Sequence, residues 1–264
     1  HLRNHNRQSN KVGQGKFLLA NDSLEFNQNP DLIGFENGVW DIKAECFRPY
    51  RFDDYVTWSC GFPFTPIMEG MKYEVDGEIC TVEETLEEDK LEDIRKLFKS
   101  TFPDPKVLEL VLFILASGLS GRSIEKFFVF NGKGRNGKGV INEFMQWCLG
   151  DYCVSVSPTV LSENQRNKSS SGANPEVAKI HLKRYVFLKE PSKDQPLNNN
   201  VIKDMTGGGE IQARMCYSSE TVVKLCLTMV LECNQKPPFK ETPEHADADR
   251  LIDVLFGSHF TPNE

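Results

Sequence analysis

The chain has 264 residues, of which 39% are hydrophobic, 26% charged and 10% aromatic. That balance excludes a disordered, collagenous or coiled-coil chain and suits one large globular domain or two ordinary ones. The net charge of −7 is local, because residues 74–93 hold ten Asp or Glu against Lys90 and the other 244 residues sum to +2. Total charge therefore neither supports nor excludes a nucleic-acid partner, which needs only a local basic track.

Eight cysteines occur without a C-x-x-C pair or clustered histidines, so reduced, buried thiols are expected rather than a zinc site or a disulfide framework. The longest apolar run, Val107–Leu119, contains Glu109 and falls short of the ~20 residues that cross a bilayer. A core helix is expected there, and no membrane partner. The first residue is His and no signal peptide follows, so the chain reads as an intracellular piece of something longer.

In chain order, residues 1–29 read as a linker or arm: Arg3, Arg7, Lys11 and Lys16 stand among Asn, Gln and Gly. From Phe17 to about Phe64, aromatics and short apolar runs alternate with turn signals, the pattern of short strands. The acidic stretch 74–93, read as a solvated loop and helix face, leads into Ile94, Leu97 and Phe98 at helical spacing. Trp40, Phe47, Tyr50, Phe52, Tyr55 and Trp58 are read as core aromatics of a small domain rather than base-stacking platforms. After Gly121, four short, nearly unbroken apolar runs end at Asn131, Glu190, Asn234 and about Gly257, separated by helical or loop segments. This predicts a mostly parallel α/β sheet covered on both faces, with a domain boundary near residue 120.

Gly132, Lys133, Gly134, Arg135, Asn136, Gly137 and Lys138 fit G-x-x-x-x-G-K, between a predicted strand at Phe127–Phe130 and a predicted helix at Val140–Leu149. Glycines let backbone N–H groups face phosphates, the helix N-terminus adds positive potential, and Lys138 neutralises β and γ oxygens. Gly139 departs from the pattern, which asks there for a Ser or Thr hydroxyl on Mg²⁺. The ion would then be held by water, phosphate and an acid elsewhere. Glu190, closing the RYVFLKE strand, is the acid placed to orient water and assist the metal, although Lys189 precedes it. Asn234, closing the next strand, suits a polar group that positions water against the γ-phosphate, the alternative being a turn residue before Pro237 and Pro238.

The order of these motifs resembles superfamily 3 helicases, specifically the poxvirus-type primase-helicase NTPases of large DNA viruses, phages and mobile elements. NGKGRNGKGVINEFMQWCLGDY is similar to their Walker A loop, RYVFLKEP to their Walker B strand, VIKDMTGGGEIQARMCY to the B′ motif, LTMVLECNQKPPF to the sensor 1 strand and DADRLIDVLFGSHF to the arginine-finger segment. LIGFENGVWDIKAECFRPYRFDDYVTW is similar to the domain before that ATPase. The resemblance implies a mainly helical collar-like domain over residues 30–120 and an AAA+-like ATPase core over 121–264. It further implies ATP and Mg²⁺, a hexameric homo-oligomer acting on single-stranded DNA and forked duplex, and a primase domain in the same full-length chain. A viral replication site in cytoplasm or nucleus follows as the expected location. By motif position the 132–139 loop binds ATP, Glu190 is the Walker B carboxylate and metal ligand, Asn234 is sensor 1, and Arg250 reaches the neighbouring subunit's ATP.

Two runs, IQARMCY and TVVKLCL, meet at Ser218-Ser219-Glu220, which predicts a hairpin, with Lys203, Arg214 and Lys224 as candidate contacts to a DNA backbone. Solvated charges with no specific role are the alternative. For Arg250 the alternative is a local salt bridge to Glu244, Asp247 or Asp249. Two rival functions remain open: an RNA-directed motor of the same superfamily, and a ring scaffold that binds nucleotide and hardly hydrolyses it.

Overall fold

The computed structural model describes residues 24–162, 175–192, 196–214, 220–243 and 245–261. Five short strands come first: β1 (Leu32–Phe35), β2 (Gly38–Asp41), β3 (Cys46–Arg48), β4 (Lys72–Val75) and β5 (Glu78–Thr81). They form one sheet in sequence order, antiparallel except where β3 runs parallel to β4. Asp76 and Gly77, both at positive φ, make the two-residue turn between β4 and β5, as an Asp-Gly hairpin requires.

The mainly helical collar implied by the resemblance is thereby corrected, since residues 30–120 begin with a five-stranded sheet. Helices appear only where the apolar spacing becomes helical, in α1 (Glu88–Thr101) and α2 (Pro105–Ser117). Asp104 caps α2 by accepting from the Lys106 N–H, and Pro105 opens its first turn. The aromatic reading divides: Phe47 is buried with Phe35 and stacks on the partly buried Phe64, whereas Phe52 is 92% exposed and Tyr50 and Tyr55 are also exposed.

A second sheet follows, made of β6 (Phe127–Asn131), β7 (Cys153–Val156), β8 (Tyr185–Lys189), β11 (Thr228–Cys233) and β12 (Leu251–Leu255). Every pair is parallel, in the spatial order β12-β6-β11-β8-β7. The three inner strands are buried almost throughout, as a doubly covered parallel sheet demands. Between β8 and β11 lie α5 (Asn199–Thr206) and the predicted antiparallel hairpin, β9 (Gly209–Arg214) with β10 (Glu220–Leu225). Its turn, residues 215–219, lies outside the described residues. The apolar run ending at Asn234 is therefore two strands: Val223–Leu225 belongs to the hairpin and Thr228–Cys233 to the sheet. The remaining helices are α3 (Lys138–Leu149), the short α4 (Pro175–Ala178) and α6 (His245–Arg250).

The two five-stranded sheets share one core. Ile33, Phe35 and Phe47 of the first pack in a cluster with Phe128, Phe130, Phe187 and Val230 of the second. α5 and the hairpin cover the opposite face with Val201, Ile202, Met205, Val223 and Leu225.

Arg184, 3% exposed, ties the sheets together. It donates to the carbonyls of Leu119 (2.8 Å), Asn29 (3.2 Å) and Leu32 (2.6 Å), and its guanidinium lies 4.6 Å from the Tyr152 ring centre. The Tyr152 hydroxyl oxygen in turn accepts from the Gly34 N–H at 2.9 Å. Arg184→Ala, which leaves three carbonyls without these donors, should lower urea-unfolding stability by about 2–4 kcal/mol. A change below about 0.5 kcal/mol would contradict the assigned role.

Asp31, beside β1, pairs with Arg122 at 2.5 Å and Lys43 at 2.9 Å. Hydrogen bonds from those two cations lower its pKa from 3.8 to about 2. Its stabilising contribution is thus present above about pH 4 and disappears as pH falls through about 2. The melting-temperature gap between wild type and Asp31→Asn should shrink over that window; a gap that stays constant would show that the pairs do not titrate with folding.

Candidate active site

The loop between β6 and α3 is built by close approach. Gly132 has φ +146°, and a Cβ there would stand 2.5 Å from the Phe256 carbonyl oxygen; Gly137, at φ +88°, precedes the first turn of α3. Asn136, buried inside the loop, donates to that same Phe256 carbonyl at 3.1 Å and fastens the loop to the end of β12. Lys133, Gly134 and Arg135 form its exposed outer arch, leaving two cations in solvent.

Lys138 points back into the loop and is 3% exposed. Its ammonium donates to Gly132 O (2.6 Å), Asn136 Oδ1 (3.1 Å) and Asn234 Oδ1 (3.2 Å). All three acceptors are uncharged. Burial pushes the Lys138 pKa below its ordinary value, while Glu232, Cys233 and Glu190 pull the other way. Among the described residues the ammonium has no opposite charge in contact, only the three neutral oxygens.

Asn234 lies just past the end of β11 and joins the lysine to the acid. Its oxygen accepts from Lys138, and its Nδ2 donates to Glu190 Oε1 at 3.2 Å. An exposed Glu190 follows β8 at φ 55°, with its N–H donating to the Glu232 carbonyl at 3.1 Å. Three strands of one parallel sheet thus end at the same edge and bring Gly132, Glu190 and Asn234 together.

Three buried polar residues beside this edge escaped the sequence reading. Asn142 of α3, fully buried, donates to Glu232 Oε2 at 2.9 Å and accepts from the Tyr185 hydroxyl at 2.9 Å. Burial raises the Tyr185 pKa well above its ordinary value, which keeps the hydroxyl a donor. Glu232 is 8% exposed, and its Oε1 lies 3.6 Å from where a Cβ on Gly139 would stand. The sequence signal was present: Glu232 interrupts an apolar strand two residues before Asn234, and that spacing puts both on one face.

The remaining candidates lie elsewhere. Lys203 of α5 pairs with Asp247 at 2.7 Å, and Lys224 of β10 with Glu25 (2.7 Å) and Gln28 (2.9 Å). Arg214 ends β9 next to the hairpin turn, and its side chain lies outside the described residues. Arg250 ends α6 rather than beginning a strand, and its partner is the distant Glu125 at 3.0 Å rather than a local acid. Its Nη1 is buried without a partner among the described residues. Leu251 pairs with Phe127, so Arg250 lies at the opposite end of β6 from the loop, ~13 Å away along the strand. It cannot reach a nucleotide held by its own chain.

Residues 3–102 match the family described as D5 N terminal like. A protein of Acanthamoeba polyphaga mimivirus whose name proposes a helicase is 31% identical over 215 residues, covering 81% of this chain and 20% of that protein. Primase D5 of Fowlpox virus (strain NVSL) is 28% identical over 245 residues, covering 91% of this chain and 29% of its own length. The chain therefore spans less than a third of these relatives. The apo structure of the NrS-1 C terminal region (305–718) superposes with a TM-score of 0.51 at 16% identity, over 71% of this chain and 45% of that one, a likeness of fold alone. Among the described residues no helix is long and apolar enough to cross a membrane.

Removing the anion's partner is the direct check. Lys138→Ala should weaken binding of an ATP analogue at least tenfold, since a charge-assisted contact of this kind contributes roughly 1.5–3 kcal/mol. Affinity within about twofold of wild type, by calorimetry, would remove Lys138 from the site.

Proposed function

We propose that this chain, which belongs to the poxvirus-type primase-helicase family of large DNA viruses, is the ATP-hydrolysing part of a DNA helicase. The observation that carries the reading is the line Lys138–Asn234–Glu190, in which one amide joins a buried ammonium to an exposed carboxylate. A parallel sheet with its glycine loop on an inner strand supports an AAA+-like core of superfamily 3 type.

In this reading ATP lays its β and γ phosphates against the backbone N–H groups of 132–139 and the Lys138 ammonium. Lys138 gives part of its donor capacity to phosphate, which loosens its hold on Asn234 Oδ1. The Asn234 side chain then reports the γ-phosphate to Glu190 through its other hydrogen bond. Glu190, exposed at the sheet edge, orients water for in-line attack and takes its proton. Bound at the phosphates with Glu190 nearby, Mg²⁺ would neutralise charge on the transferring group. The acids beside the loop fit such an ion, and the absent hydroxyl at Gly139 is tolerable because Mg²⁺ ordinarily keeps several waters.

Arg250, at the far end of the sheet from the loop, is read as acting in trans on a neighbour's nucleotide, and with that role hydrolysis requires a ring, here a homohexamer. The Glu125 pair must open for its guanidinium to face a neighbour's phosphate. The motor's track is single-stranded DNA at a fork, contacted by the β9–β10 hairpin, at whose turn Arg214 of the sequence stands. Lys203 and Lys224 would contribute by exchanging Asp247 and Glu25 for phosphate. A primase in the same full-length chain and a viral replication site complete the proposal.

Arg250→Ala should keep ATP binding and lose hydrolysis, by 10³-fold or more if the finger stabilises the transferring phosphoryl group. Mixing it with Lys138→Ala should restore part of the rate, because an intact Lys138 site can then face an intact Arg250. Normal hydrolysis by Arg250→Ala rings, or no rescue in rings shown to be mixed, refutes the intersubunit role. Wild-type ATPase should rise with single-stranded DNA, and the fork unwound should be DNA rather than matched RNA; binding without turnover would favour the scaffold.

A further inference from the structure

We propose that Glu232 is the protein ligand of the divalent cation in the nucleotide site, standing in for the hydroxyl missing at Gly139 and for the acid missing at Lys189. The assignment rests on the nucleotide-binding reading above and goes beyond it, because neither motif position nor strand end points to residue 232.

Three observations converge on this carboxylate. The first is position: Glu232 is in parallel register with Lys189 on β8 and Phe130 on β6, so it occupies the neighbouring strand at the level where a second Walker B acid would stand. Lys189 pairs with Glu143 and Glu232 with Asn142, both on α3, which places the two side chains on the same face of the sheet.

The second is direction. Oε1 of Glu232 stands 3.6 Å from the place of a Cβ on Gly139, the residue whose side chain ordinarily supplies the metal's hydroxyl. Gly139 leaves that space to the carboxylate.

The third is satisfaction. Glu232 is 92% buried by its exposure of 8%; Oε2 accepts from Asn142, and Oε1 has no hydrogen-bond partner among the described residues. Tyr185 donates to Asn142, so a chain of two hydrogen bonds fixes which oxygen is held and which is left facing the loop. A buried carboxylate oriented through an amide and a phenol is the arrangement by which outer groups aim a metal ligand. A carboxylate placed beside polyphosphate without a cation would instead repel it.

The division of labour that follows is specific. Glu232, buried and aimed, holds the cation together with phosphate oxygens and water; Glu190, exposed and tied to Asn234, is left to orient the attacking water. Asn142 and Tyr185 are positioning residues for Glu232.

The test uses Mn²⁺ as the probe, read by electron paramagnetic resonance, with adenylyl-imidodiphosphate and the full chain. Glu232→Gln retains an oxygen for Asn142 and should weaken Mn²⁺ binding to the protein–nucleotide complex by at least about tenfold. The metal-free affinity for the nucleotide should rise, because one negative charge no longer faces the phosphates. A merely structural Glu232 would lower both. Gly139→Ser, tolerated at an ordinary 3.6 Å contact, should recover Mn²⁺ affinity in the Glu232→Gln background and tighten it in the wild type, which keeps the proposal testable should Glu232→Gln fold poorly. Mn²⁺ affinity of Glu232→Gln within about twofold of wild type, or no response to Gly139→Ser in either background, overturns the assignment. If the wild type binds nucleotide and Glu232→Gln binds Mn²⁺ equally well, only Glu232 is misassigned; if the wild type binds no nucleotide, the functional reading falls with it.

Discussion

A lysine ammonium that is 3% exposed and touches only neutral oxygens sets the terms for the rest of this molecule. Desolvating a charge without an opposite charge in contact costs free energy, so the surrounding structure has to hold it. The loop does so through glycines that allow its backbone to curl around Nζ, and through Asn136, which anchors that curl to Phe256. Asn234 closes the cage from the adjacent strand. In the proposed reading, a phosphate would give this ammonium the opposite charge that its three contacts lack.

The cage depends on the sheet beneath it. β6, β8 and β11 must end in register for Gly132, Glu190 and Asn234 to meet, and their buried runs of Phe, Val and Leu fix that register. The amino-terminal sheet is part of the same core rather than a tethered accessory, because Arg184 at the start of β8 binds the carbonyls around β1 and the end of α2. The same strand that begins beside Arg184 ends at Glu190, on the edge that carries Asn234.

Much of the parallel sheet was legible in the sequence because its inner strands are continuous apolar runs, and the loop because its glycines recur at fixed spacing. The residues of the first sheet also gave their own signal: short aromatic bursts between turns read as strands, whereas the family resemblance pointed to helices, and the local pattern proved the better guide. The split at Cys226 and Leu227 was hidden, since hairpin and sheet strands are equally apolar. Arg250 was matched with acids near it in sequence, although helix and strand geometry carry it to Glu125. Glu232 and Asn142 were overlooked for a related reason: a single polar residue in an apolar strand or on an apolar helix face looks like an interruption until the two are seen to face each other.

The central claim, that the buried Lys138 ammonium is the receptor for a nucleotide's phosphates, is tested most directly by a structure of the full chain with a non-hydrolysable ATP analogue and Mg²⁺. The account predicts phosphate oxygens within hydrogen-bond reach of Lys138 Nζ and of the loop N–H groups, with the Lys138–Asn234 contact lengthened. A nucleotide bound elsewhere, with Lys138 still held by Gly132, Asn136 and Asn234, would contradict it.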